Sequence, residues 1–436
     1  MKTKLYVLLS AVIIMTMALT ACGGGATATP TTAATTAATS APAATETSAP
    51  AATATTAATA AATTAATTAA TTAATAAATA AATPGASGAV QSILPDMKAD
   101  TTVTGKIALL LPETKTTRYE TADKPYFEER LKALCPNCTV IYSNANQDAN
   151  QQLTQAEAAL TNGAQVMVLD PVDSASAGAI ADKAKAQGVP VIAYDRLILN
   201  SDAVNFYISF DNQKVGQLQA QSLVDALTKA NIAKPTIVMI NGSPTDNNAS
   251  QFKAGAHSVF DPLVAAGKLT IAKEYDTPDW SPDKAQTEMA QALTALSNKV
   301  DGVYCANDGT ASGAIAAMKS AGVSPIPPVT GQDAELAGIQ RILAGEQYMT
   351  VYKAIKPEAY SAAELAFGLL TKQDLTNATK GATVNNTKVD VPAVLLAPVA
   401  VTKDNVKDTV VADKFWTVDQ ICTADYAAAC TAAGLK

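Results

Sequence analysis

From Lys106 to Thr330 the sequence alternates short, unbroken apolar runs with stretches of helical spacing, and no other feature limits its fold so strongly. Lys106 to Leu111, Thr139 to Tyr142, Ala164 to Leu169 and Val189 to Tyr194 read as strands. Tyr126 to Leu134, Gln151 to Thr161 and Ala175 to Gln187 read as the helices between them, with Asn162-Gly163 and Gly188 as stops. A second series follows. Its helices are Val215 to Leu227, Ala249 to Val264, Asp283 to Leu296 and Gly309 to Ser320; its strands are Thr236 to Ile240, Thr270 to Glu274, Gly302 to Cys305 and Pro328 to Thr330. A strand that is apolar on both faces must be covered on both, which means a parallel sheet between helices. The prediction is an α/β protein of two doubly wound parallel-sheet lobes whose strand carboxyl ends face one crevice, where ligands sit in such sheets.

The chain before this region cannot join a core. Residues 23 to about 95 are almost purely Ala and Thr, with too few aromatic or branched apolar side chains to offset the entropy of ordering them. About 330 residues remain, more than a single core usually accommodates. At the amino terminus Lys2 and Lys4 precede an apolar run from Leu5 to Leu19, the pattern of an export signal and too short for a comfortable membrane span. The run closes with Leu19-Thr20-Ala21-Cys22-Gly23, which resembles a bacterial lipobox and implies that Cys22 carries the lipid anchor. The other reading is an ordinary signal with an incidental cysteine. The expected location is extracytoplasmic, in the periplasm or on the outer face of the cytoplasmic membrane. The Ala/Thr tract, interrupted by Pro30, Pro42, Pro50 and Pro84, then reads as a flexible tether of about 45–50 Å, open to glycosylation.

Several functions are excluded or narrowed by composition. The net charge is -7 and no block of Lys or Arg occurs, which argues against a nucleic-acid partner. His257 is the single histidine, so a His-rich zinc site is excluded and any Ser-His-Asp triad would need that residue. It falls on a helix away from the strand ends and reads as structural. Beyond Cys22, the economical pairing is Cys135 with Cys138 and Cys422 with Cys430, as two local disulfides of an oxidising compartment, leaving Cys305 as a buried thiol. A redox role for Cys135 and Cys138 is disfavoured because the pair follows a helix instead of opening one. Zinc would require the two pairs to meet in space.

The predicted strand ends carry Arg118-Tyr119, Tyr194-Asp195-Arg196, the run Ser243 to Asn248, Asp279-Trp280, Ala306-Asn307-Asp308, Gly331-Gln332-Asp333 and Tyr352-Lys353. Carboxylates accept from hydroxyls, carboxamides both give and accept, Arg and Lys donate, and an indole face packs against C–H groups. That set suits a neutral polyhydroxylated ligand. A phosphate site would want a Gly-rich loop opening a helix, and no GxGxxG or GxxxxGK[ST] occurs at these junctions. Plainer readings exist: Asp195-Arg196 as a surface ion pair, Trp280 as core, Asn307-Asp308 and Asp246 to Asn248 as helix caps.

Between about Lys106 and Val410 the chain resembles the type I periplasmic sugar-binding family of bacterial ABC importers. Ala193 to Arg196, Phe206 to Asn212, Gly242 to Ala249, Asn307-Asp308, Gly331 to Ala334 and Thr350 to Lys353 match it in order and spacing. The resemblance implies a monosaccharide, D-xylose foremost and glucose, ribose or arabinose next. It implies a site built from Arg118, Asp195, Arg196, Asn248, Asn307, Asp333 and Lys353 with Trp280 against the ring; Tyr119 and Asn247 complete the candidate set. Tyr119 departs from the pattern, standing where a pentose-binding member carries Trp. No cofactor is implied, the protein is expected to be a monomer, and the partner is an ABC permease that recognises the closed form. The two-lobe plan places 104–210 and 356–375, including a helix Glu358 to Leu370, in the first lobe. It places 211–355 and 390–420 in the second, leaves 421–436 as a terminal segment, and puts the crossings near Asp211, near Lys356 and between Thr376 and Pro392. A sensor of the same fold, or an enzyme using Asp195 and Asp333 as acid and base, are the alternatives. Arg196 and Lys353 should keep those carboxylates ionised, which disfavours proton donation.

Overall fold

The computed structural model describes residues 93–94 and 96–435. The export signal, Cys22 and nearly all of the Ala/Thr tract lie outside the described residues. The first lobe begins β1 (Thr104–Leu111), α1 (Lys124–Leu134), β2 (Asn137–Asn144), α2 (Ala149–Thr161), β3 (Val166–Leu169), α3 (Gly178–Ala186), β4 (Val191–Tyr194) and β5 (Val204–Phe210). The second holds α4 (Asn212–Lys229), β6 (Thr236–Asn241), α5 (Asn247–Ala265), β7 (Thr270–Asp276), α6 (Pro282–Ala295), β8 (Gly302–Cys305), α7 (Asp308–Ser320), α8 (Leu336–Ala344) and β9 (Met349–Tyr352). The chain then returns through α9 (Ile355–Leu370), β10 (Thr383–Asn385) and β11 (Asp390–Leu396), crosses to β12 (Val399–Thr402), and ends with the short helices α10 (Val418–Ile421) and α11 (Ala427–Ala432).

The first sheet runs β10-β11-β5-β4-β3-β1-β2 and is parallel except for the edge strand β10. Its two faces divide the core by the strand period of two. Ile107, Leu109 and Leu111 pack with Phe127, Leu131 and Phe367, while Ala108 and Leu110 pack with Ala159, Leu160 and Ile180. The second lobe has a parallel β7-β6-β8 sheet and an antiparallel β9-β12 pair. The strand expected at Pro328 to Thr330 contracts to one bridge between Val329 and Val303. Two prolines at 327 and 328 withhold the N–H groups that a longer ladder needs.

The expected place of the last strands is corrected by the pairing of β11. Ala393 to Leu396 run parallel to Tyr207 to Phe210, so 390–396 belongs to the first lobe and the third crossing falls between Leu396 and Val399. The apolar pattern of β11 says that it is a strand. It does not say which of two sheet edges receives it, because that pairing is remote in the chain.

Disulfides join Cys135 to Cys138, with Cα atoms 5.3 Å apart, and Cys422 to Cys430, at 5.8 Å. Cys305 is free and buried. His257 on α5 sits between Asp261, 2.8 Å from Nδ1, and Glu274, 3.1 Å from Nε2, away from the cleft. Among the described residues no helix is long and apolar enough to cross a membrane.

Candidate functional site

The carboxyl ends of β1, β4, β6, β8 and β9 converge on a narrow cavity between the lobes. Arg118, Tyr119, Asp195, Arg196, Asn248, Trp280, Asn307, Asp333 and Lys353 all line it. Asn247 does not: it is half-buried beside the hinge, and its backbone N–H donates to Ser174 Oγ at 3.1 Å. Helical spacing explains the difference. With Asp246 as the N-cap of α5, Asn248 and then Phe252 at i+4 turn toward the cavity, and Asn247 turns aside. Phe252 and Thr116 are wall residues that the strand-end reading missed, and for Phe252 the i+4 offset from Asn248 was the available signal. Asp246 and Gln332 also line the cavity.

A chain of charges crosses the cleft. Arg118 Nη1 lies 3.2 Å from Asp195 Oδ1 within the first lobe and 3.9 Å from Asp333 Oδ1 of the second. Lys353 Nζ of the second lobe lies 3.2 Å from Asp333 Oδ1 and 3.7 Å from Asp195 Oδ1. The Arg118 guanidinium is fixed from behind: Nε and Nη2 donate to Asp123 at 2.9 and 2.5 Å, and Nη2 also to Glu358 at 2.9 Å. The π-helical turn Tyr119–Asp123 is what brings Asp123 back beneath Arg118. Burial alone would raise the Asp195 carboxyl, but Arg118, Lys353 and Arg196, with a hydrogen bond from Tyr119, outweigh it and hold Asp195 well below the ordinary carboxylate range. A carboxylate so held accepts hydrogen bonds and does not donate a proton.

The second cluster is built on Arg196. Its Nη2 donates to the Tyr119 hydroxyl at 3.2 Å, Nη1 donates to Pro171 O at 3.3 Å, and Nε lies 3.0 Å from Asp246 Oδ2 across the cleft. Tyr119 in turn donates to Asp195 Oδ2 at 3.0 Å, so its hydroxyl ties the two clusters together. That is a polar role which an indole in its place could not reproduce in the same geometry. Asp170 lies behind Arg196, 3.6 Å from Nε, and burial with the nearby Asp195 charge pushes its carboxyl up. Asp195 has φ +55°, and its carbonyl receives Asn248 Nδ2 at 2.9 Å and Ser209 Oγ at 2.6 Å, which hold that left-handed turn.

Trp280 closes one wall. Its Nε1 donates to Asp246 Oδ2 at 3.1 Å, and its ring meets Phe252 edge-on with centroids 6.3 Å apart. Gly242 makes room for it: a Cβ there would stand 2.0 Å from the indole Cη2. Asn307 both caps α7 and lines the cavity. Its Oδ1 accepts from Thr310 N at 2.8 Å, which leaves the amide nitrogen for the cavity side. Asp308 points behind the wall, toward Gln347, Thr350 and the backbone of Glu335. Asp333 Oδ1 and Gln332 Oε1 are buried and receive no hydrogen bond from the described residues. The wall therefore offers unused acceptors, cations and an aromatic face within one small enclosure.

A two-lobed parallel α/β fold with a charged, aromatic-walled cavity at the inter-lobe strand ends is the architecture of a solute-binding protein. The family model described as Periplasmic binding protein domain matches residues 107–374, and the chain belongs to that family. It is 40% identical over 310 residues to the D-xylose-binding periplasmic protein of Escherichia coli, spanning 71% of this chain and 90% of the relative. A multiple sugar-binding periplasmic protein of Azospirillum brasilense is 39% identical over 289 residues, 63% of this chain and 80% of that one. Among solved structures, an ABC transporter solute-binding protein of Clostridium phytofermentans with bound β-D-glucose superposes with a TM-score of 0.67 at 30% identity, covering 72% of this chain and 99% of that one.

Proposed function

We propose that the protein is the lipid-anchored, extracytoplasmic substrate-binding component of an ABC-type sugar importer, that D-xylose is its ligand, and that a membrane permease receives the loaded form. The observation that carries the sugar reading is the shared charge chain, in which Arg118 and Asp195 from one lobe and Asp333 and Lys353 from the other surround the same small cavity. A polyol placed among them gains hydrogen bonds from both lobes at once only when the lobes are together. Its differential affinity for that state drives closure. The pyranose C–H face rests on Trp280, and its hydroxyls donate to Asp195 and Asp333 and accept from Arg118, Lys353 and Asn307. The choice of xylose rests on the Escherichia coli relative's name. Delivery and anchoring rest on the family and on the Cys22 pattern. Glucose is the second reading, favoured by the Clostridium structure and by the hydroxyl that Tyr119 adds to the wall.

Calorimetric titration with xylose, glucose, ribose, arabinose and galactose in parallel tests the ligand. Tight xylose binding without turnover of the sugar supports the reading; tighter glucose binding replaces it, and no binding to any of the five removes it. Cys22→Ser should release the protein from the membrane fraction, and retention there would contradict the anchor.

A further inference from the structure

We infer that Trp416, in the carboxyl-terminal segment outside the sheets, is a positioning residue that holds Asp333 in its ligand-accepting conformation. The inference rests on the reading of the cleft as the sugar site. Asp333 and Ala334 are consecutive non-glycine residues with positive φ, +88° and +48°. Such a pair is costly unless its surroundings over-determine it. Three of its ties come from the body of the second lobe: Asp333 N to Val351 O at 2.9 Å, Ala334 N to Thr350 Oγ1 at 3.2 Å, and Glu335 N to Asp308 Oδ2 at 2.9 Å. The fourth is Trp416 Nε1, which donates to Ala334 O at 2.8 Å.

That fourth tie is built to last. Trp416 packs on Phe415 with centroids 5.3 Å apart, and Phe415 packs on Tyr352 at the same distance. Tyr352 immediately precedes Lys353, whose Nζ faces Asp333 at 3.2 Å, so one aromatic stack supports both members of the ion pair. The segment is secured beyond Trp416 by the Cys422–Cys430 disulfide and by Gln340 Nε2 on α8, which donates to Ile421 O at 3.2 Å. Trp416 does not itself line the cavity. Trp416→Phe keeps an aromatic ring against Phe415 and removes only the N–H donor, so the effect of that change on binding passes through the Asp333–Ala334 backbone. Without the indole N–H, the Ala334–Glu335 peptide loses the tie on its carbonyl, and the Asp333–Ala334 pair can relax toward ordinary φ and carry the carboxylate away from Lys353 and the ligand.

The test is a double-mutant cycle on the full chain, read by calorimetric titration with D-xylose. Trp416→Phe should weaken binding about tenfold and Asp333→Asn about a hundredfold. In the Asp333→Asn background, Trp416→Phe should add less than about twofold, because the group it positions is already disabled. A wild-type dissociation constant for Trp416→Phe, or an equal penalty in both backgrounds, overturns the inference while leaving the sugar site in place. Unchanged affinity in Asp333→Asn removes the site reading itself, and the inference with it. If Trp416→Phe does not fold, site-specific replacement of Trp416 by benzothienylalanine, which exchanges N–H for sulfur at nearly constant volume, gives the same readout.

Discussion

Gly242→Ala is the most searching test of the aromatic wall, because Gly242 offers no side chain to any ligand. The added Cβ would stand 2.0 Å from Cη2 and 2.3 Å from Cζ2 of Trp280. Carbon atoms in contact sit about 3.5–4.0 Å apart, so the ring must retreat by about 1.5 Å. It has little room to do so: Phe252 lies against it edge-on, and its Nε1 is tied to Asp246 Oδ2 at 3.1 Å. A retreat of that size breaks the tie, at a cost of about 1 kcal/mol. Overpacking adds about 1–3 kcal/mol, so the lobe should lose roughly 2–4 kcal/mol of stability. Affinity should fall at least about tenfold, as the displaced ring no longer offers its face to the C–H groups of a sugar placed as proposed. Titration of sugar into folded Gly242→Ala, with chemical denaturation alongside, measures both quantities. Wild-type affinity in the variant would refute the placement of Trp280 against the ligand.

Asp195→Asn should weaken sugar binding about 10- to 100-fold by titration, since it removes the charged acceptor shared by Arg118, Lys353 and Tyr119; a smaller loss would move the centre of the site elsewhere. The His257 imidazole is disfavoured as a cation by burial, but hydrogen bonds to Asp261 and Glu274 prevail and raise its pKa above the ordinary 6.5. The folded state therefore binds the proton more tightly. The resulting stability is fully present below about pH 6.5 and is lost as pH rises through the folded value. Thermal melts from pH 5.5 to 8.5 should show this decline in the wild type and lack it in His257→Asn; equal declines would contradict the argument. Replacing Cys422 and Cys430 with Ser opens a nine-residue loop and should cost about 2.6 kcal/mol by chain entropy, measured as a shift in the denaturation midpoint.

The alternation of apolar runs and helical spacing, and the polar residues just past each run, were legible in the sequence because period and adjacency are local properties. Lys106 to Leu111 reads as a strand in either description, and Arg118, Asp195, Asn307 and Asp333 stand at the cavity because strand ends in parallel sheets have a direction. Facing was harder to read. Asn247 and Asn248 are equivalent by composition, and only the start of α5 at Asp246 turns one inward and the other out. Phe252 reads as core in a sequence, and it is both core and wall.

Tertiary structure alone decided the partners that lie far apart in the chain. The parallel pairing of β11 with β5 assigned 390–396 to the first lobe, a choice between sheet edges that no local pattern encodes. The same holds for the bond from Trp416 to Ala334 and for the clearance that Gly242 leaves for Trp280. Local periodicity sets which segments become strands and helices and which of their ends are polar. Which charges meet, at what distance and with what backbone strain, depends on how the lobes close a three-dimensional space, and that information resides in packing.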